Sequence, residues 1–217
     1  MRPFADREEA GGLLGQALSG LDEPPGAGAL VLGIPRGGVI VAAAVARVIG
    51  ADLDVMVPAK IRAPHQPELA IGAVAPDGGV WLDAGTVDAL AIPDAVLDVQ
   101  VAAARQEVLR RTAAFRGDRP PPPIEGRFVV LVDDGIATGA TITAAARSLR
   151  AQEPARLIVA VPVAPRPAVM QLAAEVDQVV CLASPEPFMA VGQWYQDFRQ
   201  VDDDAVRQAL PASGGQP

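Results

Sequence analysis

The sequence predicts an α/β protein with a central, mainly parallel sheet flanked by helices. Two observations carry that expectation. Short, almost purely aliphatic runs recur at residues 29–34 (ALVLGI), 53–57 (LDVMV), 127–132 (RFVVLV), 157–161 (LIVAV) and 178–182 (QVVCL). Continuous runs of this kind are what strands buried on both faces look like. Segments with apolar residues at helical spacing lie between most of them, and strands alternating with helices make a parallel sheet.

The elements follow in order. Residues 4–21 read as an amphipathic helix with Leu13, Leu14, Ala17, Leu18 and Leu21 on its apolar side, broken by Pro24, Pro25 and Gly26. The strand at 29–34 runs into the turn Pro35-Arg36-Gly37-Gly38, and 39–49 continues as a helix closed by Gly50. With the strand at 53–57 this makes a β-α-β unit. Residues 60–69 (KIRAPHQPEL) are polar, hold two prolines and are expected to form a loop. Residues 70–74 and 79–82 flank Ala75-Pro76-Asp77-Gly78, which suggests a β-hairpin. Residues 93–115 are helical in pattern, with Val96, Leu97, Val101, Ala104, Val108 and Leu109 apolar. Pro120 to Pro123 stiffen the connector at 119–126. The clearest central strand, 127–132, precedes a turn at 135–139 and a helix at 141–151 with Ile142, Ala145, Ala146 and Leu149 on one face. A strand at 157–161, a helix at 166–176 and a strand at 178–182 complete the pattern. Residues 184–210 lack a clean period and are expected to cover a site, and 211–217 form a frayed tail.

Composition narrows the function. The chain has 217 residues, 50% of them hydrophobic, and a mean hydropathy of +0.26, so it folds. Aromatics are only 4%, so the core is aliphatic. There are 18 Lys and Arg against 26 Asp and Glu, a net charge of −8, which argues against a broad nucleic-acid footprint but allows a local basic patch. Cys181 is the single cysteine and His65 the single histidine, which excludes an intramolecular disulfide and a cysteine-built zinc site. Residues 1–9 are charged, without the apolar run of a signal peptide, and no stretch approaches a membrane span. A soluble cytoplasmic protein is expected.

The most informative segment runs from Val129 to Thr141 (VVLVDDGIATGAT). Apolar strand residues lead directly into Asp133 and Asp134, then into a Thr/Gly loop and a helix start. In a parallel sheet, ligands sit beyond the carboxyl ends of the strands, and the unpaired N–H groups of a helix start favour a phosphate. Gly139 lets the backbone approach an anion, and Thr138 and Thr141 offer hydroxyls. Two like-charged carboxylates do not bind that same phosphate. They suit hydroxyls or a cation beside it, so the site asks for a phosphate, a diol and Mg²⁺. No Walker-type phosphate loop is present.

This segment resembles the phosphoribosylpyrophosphate (PRPP) signature of the type I phosphoribosyltransferases. The resemblance implies that Asp133 and Asp134 bind the ribose hydroxyls, and that Ala137, Thr138, Gly139, Ala140 and Thr141 wrap the 5′-phosphate. It implies a pyrophosphate site at Arg36 and Gly37 in the first turn, joined by Lys60 and Arg62. It also implies a β-hairpin lid over the reacting centre, resembled here by residues 63–69 and the hairpin they lead into. His65 reads as incidental. Mg²⁺ would be held mostly by PRPP itself, with Asp133 and Asp134 nearby and no direct protein ligand. Residues 58–74 (PAKIRAPHQPELAIGAV) and 188–198 (FMAVGQWYQDF) are similar to a bacterial subgroup of the family. The resemblance covers about residues 3–210 and implies a single domain over 1–210, with a small hood from about 1–25 and 184–210. Dimers are common in the family, so a homodimer is compatible with it.

The acceptor side is less specific. Phe188, Trp194, Tyr195 and Phe198 are half of the aromatic residues of the chain. Either the hood stacks a flat base on Phe188, Trp194 and Tyr195, or these rings form a small satellite core or a subunit interface under a long loop. Many purine-transferring relatives carry an acid where this sequence has Ala137, so the resemblance does not extend to hypoxanthine–guanine recognition. The expected activity is transfer of 5-phosphoribosyl from PRPP to a small-molecule nitrogen acceptor, a nucleobase or related heterocycle, with release of pyrophosphate. The alternatives are a PRPP-binding regulator without transferase activity, a phosphosugar or nucleotide hydrolase, and an inactive partner subunit. The run Asp202-Asp203-Asp204 reads as the solvated start of a last helix.

Overall fold

The computed structural model describes residues 2–76, 78–117 and 119–211. Its elements are α1 (Arg7–Ser19), β1 (Leu30–Gly33), α2 (Gly37–Ile49), β2 (Asp52–Val55), β3 (Ala59–Ala63), β4 (Gln66–Val74), β5 (Val80–Leu82), α3 (Ala84–Ala89), α4 (Asp94–Arg116), β6 (Phe128–Val132), α5 (Ala140–Arg150), β7 (Arg156–Val163), α6 (Arg166–Leu172), β8 (Gln178–Ala183), a 3-10 turn (Val191–Trp194) and α7 (Asp203–Ala209). Residues 212–217 of the expected tail at 211–217 and the hairpin-turn residue Asp77 lie outside the described residues.

Five strands form one sheet in the order β2-β1-β6-β7-β8, with every neighbouring pair parallel. The aliphatic runs are buried on both faces, and their alternation divides the core in two. Leu30, Leu32, Val129, Leu131, Leu157 and Val159 face Ile142, Ala145 and Leu149 of α5 and Leu172 of α6. Val31, Val130, Val132, Ile158 and Ala160 face Leu14 and Leu18 of α1 and Val41 and Val45 of α2. Helices α1 and α2 therefore cover one face, and α5 and α6 the other.

Residues 60–69 are not a loop. β3 and β4 pair antiparallel through a turn at Pro64 and His65, and β4 continues into the expected hairpin with β5. The reason is a period of two: Ala59, Ile61 and Ala63 are buried, and the exposed Lys60 and Arg62 alternate with them. The polar residues mark one face of a strand. The resulting three-stranded sheet β3-β4-β5 packs Ile61, Ile71 and Val74 on Ala104 and Val108 of α4. Short helix α3 carries no buried residue and left no apolar period to read, and α6 ends four residues before the expected 176. No helix among the described residues is long and apolar enough to cross a membrane.

Leu14 is fully buried where α1 meets α2 and the sheet. Leu14→Ala is expected to cost about 2–5 kcal/mol, read as a lowered urea midpoint, with the transition slope unchanged.

Candidate functional site

The parallel strands β1 and β6 end side by side, with Gly33 opposite Val132. This register brings the turn after β1 against the acids after β6. The fit leaves no room for a side chain at Gly37 or Gly38. A Cβ on Gly37 would lie 1.8 Å from Asp134 Oδ2, and one on Gly38 would lie 2.8 Å from the Asp133 Cα. Glycine is what lets the turn reach the carboxylates. The Pro35–Arg36 peptide bond within it is cis.

Asp133 and Asp134 are held differently. The Asp133 carboxylate accepts the Asp134 N–H at 2.8 Å. Burial pushes the Asp133 carboxyl well above the usual carboxylate range, and the neighbouring Asp134 charge pushes it the same way. Asp134 has a counterion: the Arg7 Nε donates to Asp134 Oδ2 at 2.8 Å, with both side chains largely buried. The Arg7 Nη1 donates to the Arg199 carbonyl at 3.0 Å, and its guanidinium lies 4.0 Å from the centre of the Phe198 ring. The Tyr195 hydroxyl donates to the Asp134 carbonyl at 2.6 Å. Burial, and then the Asp134 charge, push the Tyr195 pKa upward, so the hydroxyl remains a donor. Arg7 carried no sequence signal, because it sits in a short charged stretch before an ordinary helix. Only the fold aims it at a residue 127 positions away.

The loop after the acids is anchored by Ile136, whose N–H donates to the Val163 carbonyl at 2.9 Å. Ala137 and Thr138 are exposed. Gly139 adopts φ +81° and starts α5 without a side-chain cap, which leaves N–H groups of the first turn open to an anion.

Two adjoining cavities open at this edge. One, of about 510 Å³, brings together Arg7, Arg36, Gly37, Asp133, Asp134, Thr141 and Phe198. The other, of about 440 Å³, is reached past Ile34, Pro35 and Thr141 and is lined by Lys60 and Arg62. The sequence-predicted pyrophosphate, ribose and phosphate residues thus surround two adjoining cavities, with Ala137, Thr138, Gly139 and Ala140 on the loop that leads to Thr141.

Phe188, Trp194 and Tyr195 line neither cavity. Tyr195 packs with Phe4 and Ala10 in a small apolar cluster, against which Trp194 and Phe198 rest. Phe198, not singled out as an acceptor residue, is the aromatic that reaches the cavity, together with Gln200 and Val201. Asp203 of the acidic run forms a 3.7 Å ion pair with Arg36. Among the described residues no group of three or more His, Cys, Asp or Glu is placed to hold a metal ion.

The family model described as "Phosphoribosyl transferase domain" matches residues 15–184. Rv0571c of Mycobacterium tuberculosis H37Rv, provisionally named a phosphoribosyl transferase, is 44% identical over 206 residues, covering 95% of this chain and 46% of that protein. The chain therefore spans about half the length of the curated relatives it matches. The crystal structure of TT1426 from Thermus thermophilus superposes with a TM-score of 0.84 at 43% identity, over 97% of this chain and 98% of that one. The AQ2163 protein of Aquifex aeolicus shares the fold at 12% identity, with a TM-score of 0.50 over 86% and 78% of the two chains.

Two stability measurements follow from this geometry. Arg7→Met leaves Asp134 without its counterion and is expected to cost roughly 3 kcal/mol in urea unfolding. Asp133→Asn works in the opposite direction. A carboxyl raised in the folded state contributes its full stability below the ordinary range, about pH 4, and loses it as pH rises through the raised value. The variant is therefore expected to be more stable than the parent at pH 7 by about 1 kcal/mol, with the difference vanishing at pH 4.

Proposed function

Because the chain belongs to the phosphoribosyl transferase family, we propose that it transfers 5-phosphoribosyl from PRPP to a nitrogen of a small heterocyclic acceptor. The observation that carries this reading is the convergence of Arg36, Gly37, Asp133, Asp134 and Thr141 on one cavity at the carboxyl edge of the sheet. In this reading Asp133 and Asp134 receive the ribose hydroxyls, and residues 137–141 take the 5′-phosphate through backbone N–H groups and threonine hydroxyls. Arg36, Gly37, Lys60 and Arg62 face the pyrophosphate.

The reaction is a displacement at ribose C1. The bond from C1 to the pyrophosphate oxygen breaks, a bond from the acceptor nitrogen forms with inversion, and the acceptor N–H proton leaves to solvent. The transition state is cationic at C1, as in glycoside hydrolysis. The chain's part is to orient both substrates and to neutralise the leaving group with its cations. Asp134 enters this geometry already paired with Arg7, so its carboxylate is oriented before substrate arrives. Mg²⁺ fits as a companion of the substrate: the acids at the cavity floor are engaged by Arg7 and by a backbone N–H. When bound, the ion neutralises pyrophosphate charge. Ala137 offers no proton acceptor, so the acceptor is one that ionises unaided or loses its proton to water.

Calorimetric titration with PRPP tests the donor site. Micromolar binding that requires Mg²⁺ is expected, followed by acceptor-dependent pyrophosphate release in a panel of nitrogen heterocycles. The double variant Asp133→Asn, Asp134→Asn should remain folded and lose turnover. Absence of PRPP binding with or without Mg²⁺ would overturn the transferase reading, and binding without release for any acceptor would favour a PRPP-responsive regulator.

A further inference from the structure

Resting on that donor-site reading, we propose that Arg111 of α4 is a further pyrophosphate-binding cation, supplied by a helix of the folded body. The buried stripe of α4 runs Leu97, Val101, Ala104, Val108 and then Phe115. Steps of four and three residues keep these positions on one side of the helix. Arg111 stands three residues after Val108 and four before Phe115, where the stripe calls for an apolar side chain. Ala104 and Val108 belong to the core beneath β3, whereas Phe115 belongs to a separate cluster with Val39, Val55 and Val57. The 440 Å³ cavity touches α4 along this stretch, and Pro35, Lys60, Arg62, Glu107, Arg111 and Thr141 are among its walls.

Arg111 is half-buried, and withdrawing a guanidinium from water costs free energy unless something pairs with it. Among the described residues no hydrogen bond or salt bridge engages Arg111. The carboxylate beside it, Glu107, is gripped by Arg110, whose Nε and Nη2 donate at 2.9 and 2.8 Å. The cavity thus brings Lys60 and Arg111 to one carboxylate, Glu107, which attracts Arg111 but is hydrogen-bonded to Arg110. This balance suits a polyanion with several acceptor oxygens, which a guanidinium fork binds well. The location narrows the choice. Pro35 and Thr141 belong to this cavity and to the one holding the two acids, so an anion here is within reach of a sugar there. The pyrophosphate arm of PRPP fulfils both conditions, and Arg111 would meet it without any segment having to close.

Calorimetry of Arg111→Gln with three probes separates the subsites: Mg²⁺–PRPP, Mg²⁺–pyrophosphate and ribose 5-phosphate. The variant is expected to bind PRPP and pyrophosphate about tenfold or more weakly, the loss of one charge-assisted hydrogen bond, and ribose 5-phosphate as the parent does. Arg111→Lys should recover part of the pyrophosphate affinity. Arg105→Gln, on an exposed side of the same helix, should leave all three unchanged. Urea unfolding confirms that each variant is folded. Parent-like pyrophosphate and PRPP binding by Arg111→Gln would overturn the proposal alone, as would an equal loss for ribose 5-phosphate. Failure of the parent to bind PRPP would overturn the donor-site reading and this proposal with it.

Discussion

Two adjacent carboxylates at the end of a strand buried on both faces are the constraint on which the rest of the molecule depends. Like charges this close, partly withdrawn from water, repel each other and resist ionisation together. The fold answers with one arginine. Arg7 neutralises Asp134, and the Phe198 ring covers the guanidinium. Asp133 receives no cation and is the carboxyl whose proton affinity rises. Two residues with the same chemistry, one position apart, are thus made unequal by where one side chain from the amino-terminal helix lands.

That arrangement explains why the segments around Phe4 and Tyr195 meet over the sheet edge. The Phe4 N–H donates to the Trp194 carbonyl, and the Gln196 N–H donates to the Phe4 carbonyl, each at 2.8 Å. This short backbone ladder aligns the segment before α1 with the one after β8. Arg7 follows directly on one side and Tyr195 on the other, and both hold Asp134. The aromatic residues crowded near the carboxyl terminus thereby serve the acids first. Tyr195 and Trp194 build the small cluster that supports the clasp, and Phe198 alone extends into the cavity.

Net charge and local field point in opposite directions. The chain carries −8 overall, yet Arg36, Lys60, Arg62 and Arg111 gather around two adjoining cavities. Asp133, Asp134 and Glu107 line the same cavities, and Asp203 touches Arg36. That pair is half exposed and separated by 3.7 Å, so it holds Arg36 weakly and yields readily to a multivalent anion. A net negative charge does not prevent such a local concentration of cations.

The sheet, its flanking helices and the acid-to-threonine loop were legible in the sequence. Their signals are local: aliphatic runs of strand length, helical spacing, and a loop whose residue types imply a ligand. The strand β3 was hidden because its exposed lysine and arginine and the prolines beyond them outweighed three small apolar residues in composition. The alternation was present, but only packing on α4 gave it a buried face. Arg7 and Arg111 were hidden for another reason. An arginine near a chain end, or one interrupting an apolar stripe, looks the same in sequence whether it meets solvent or a site. Local patterning by itself determined the architecture and the residue types of the loop after β6, because both are written in neighbouring residues. Tertiary structure alone decided which distant cations face that loop and which of the two carboxylates is neutralised, because a charge acts through a few ångströms of space and not through its place in the chain.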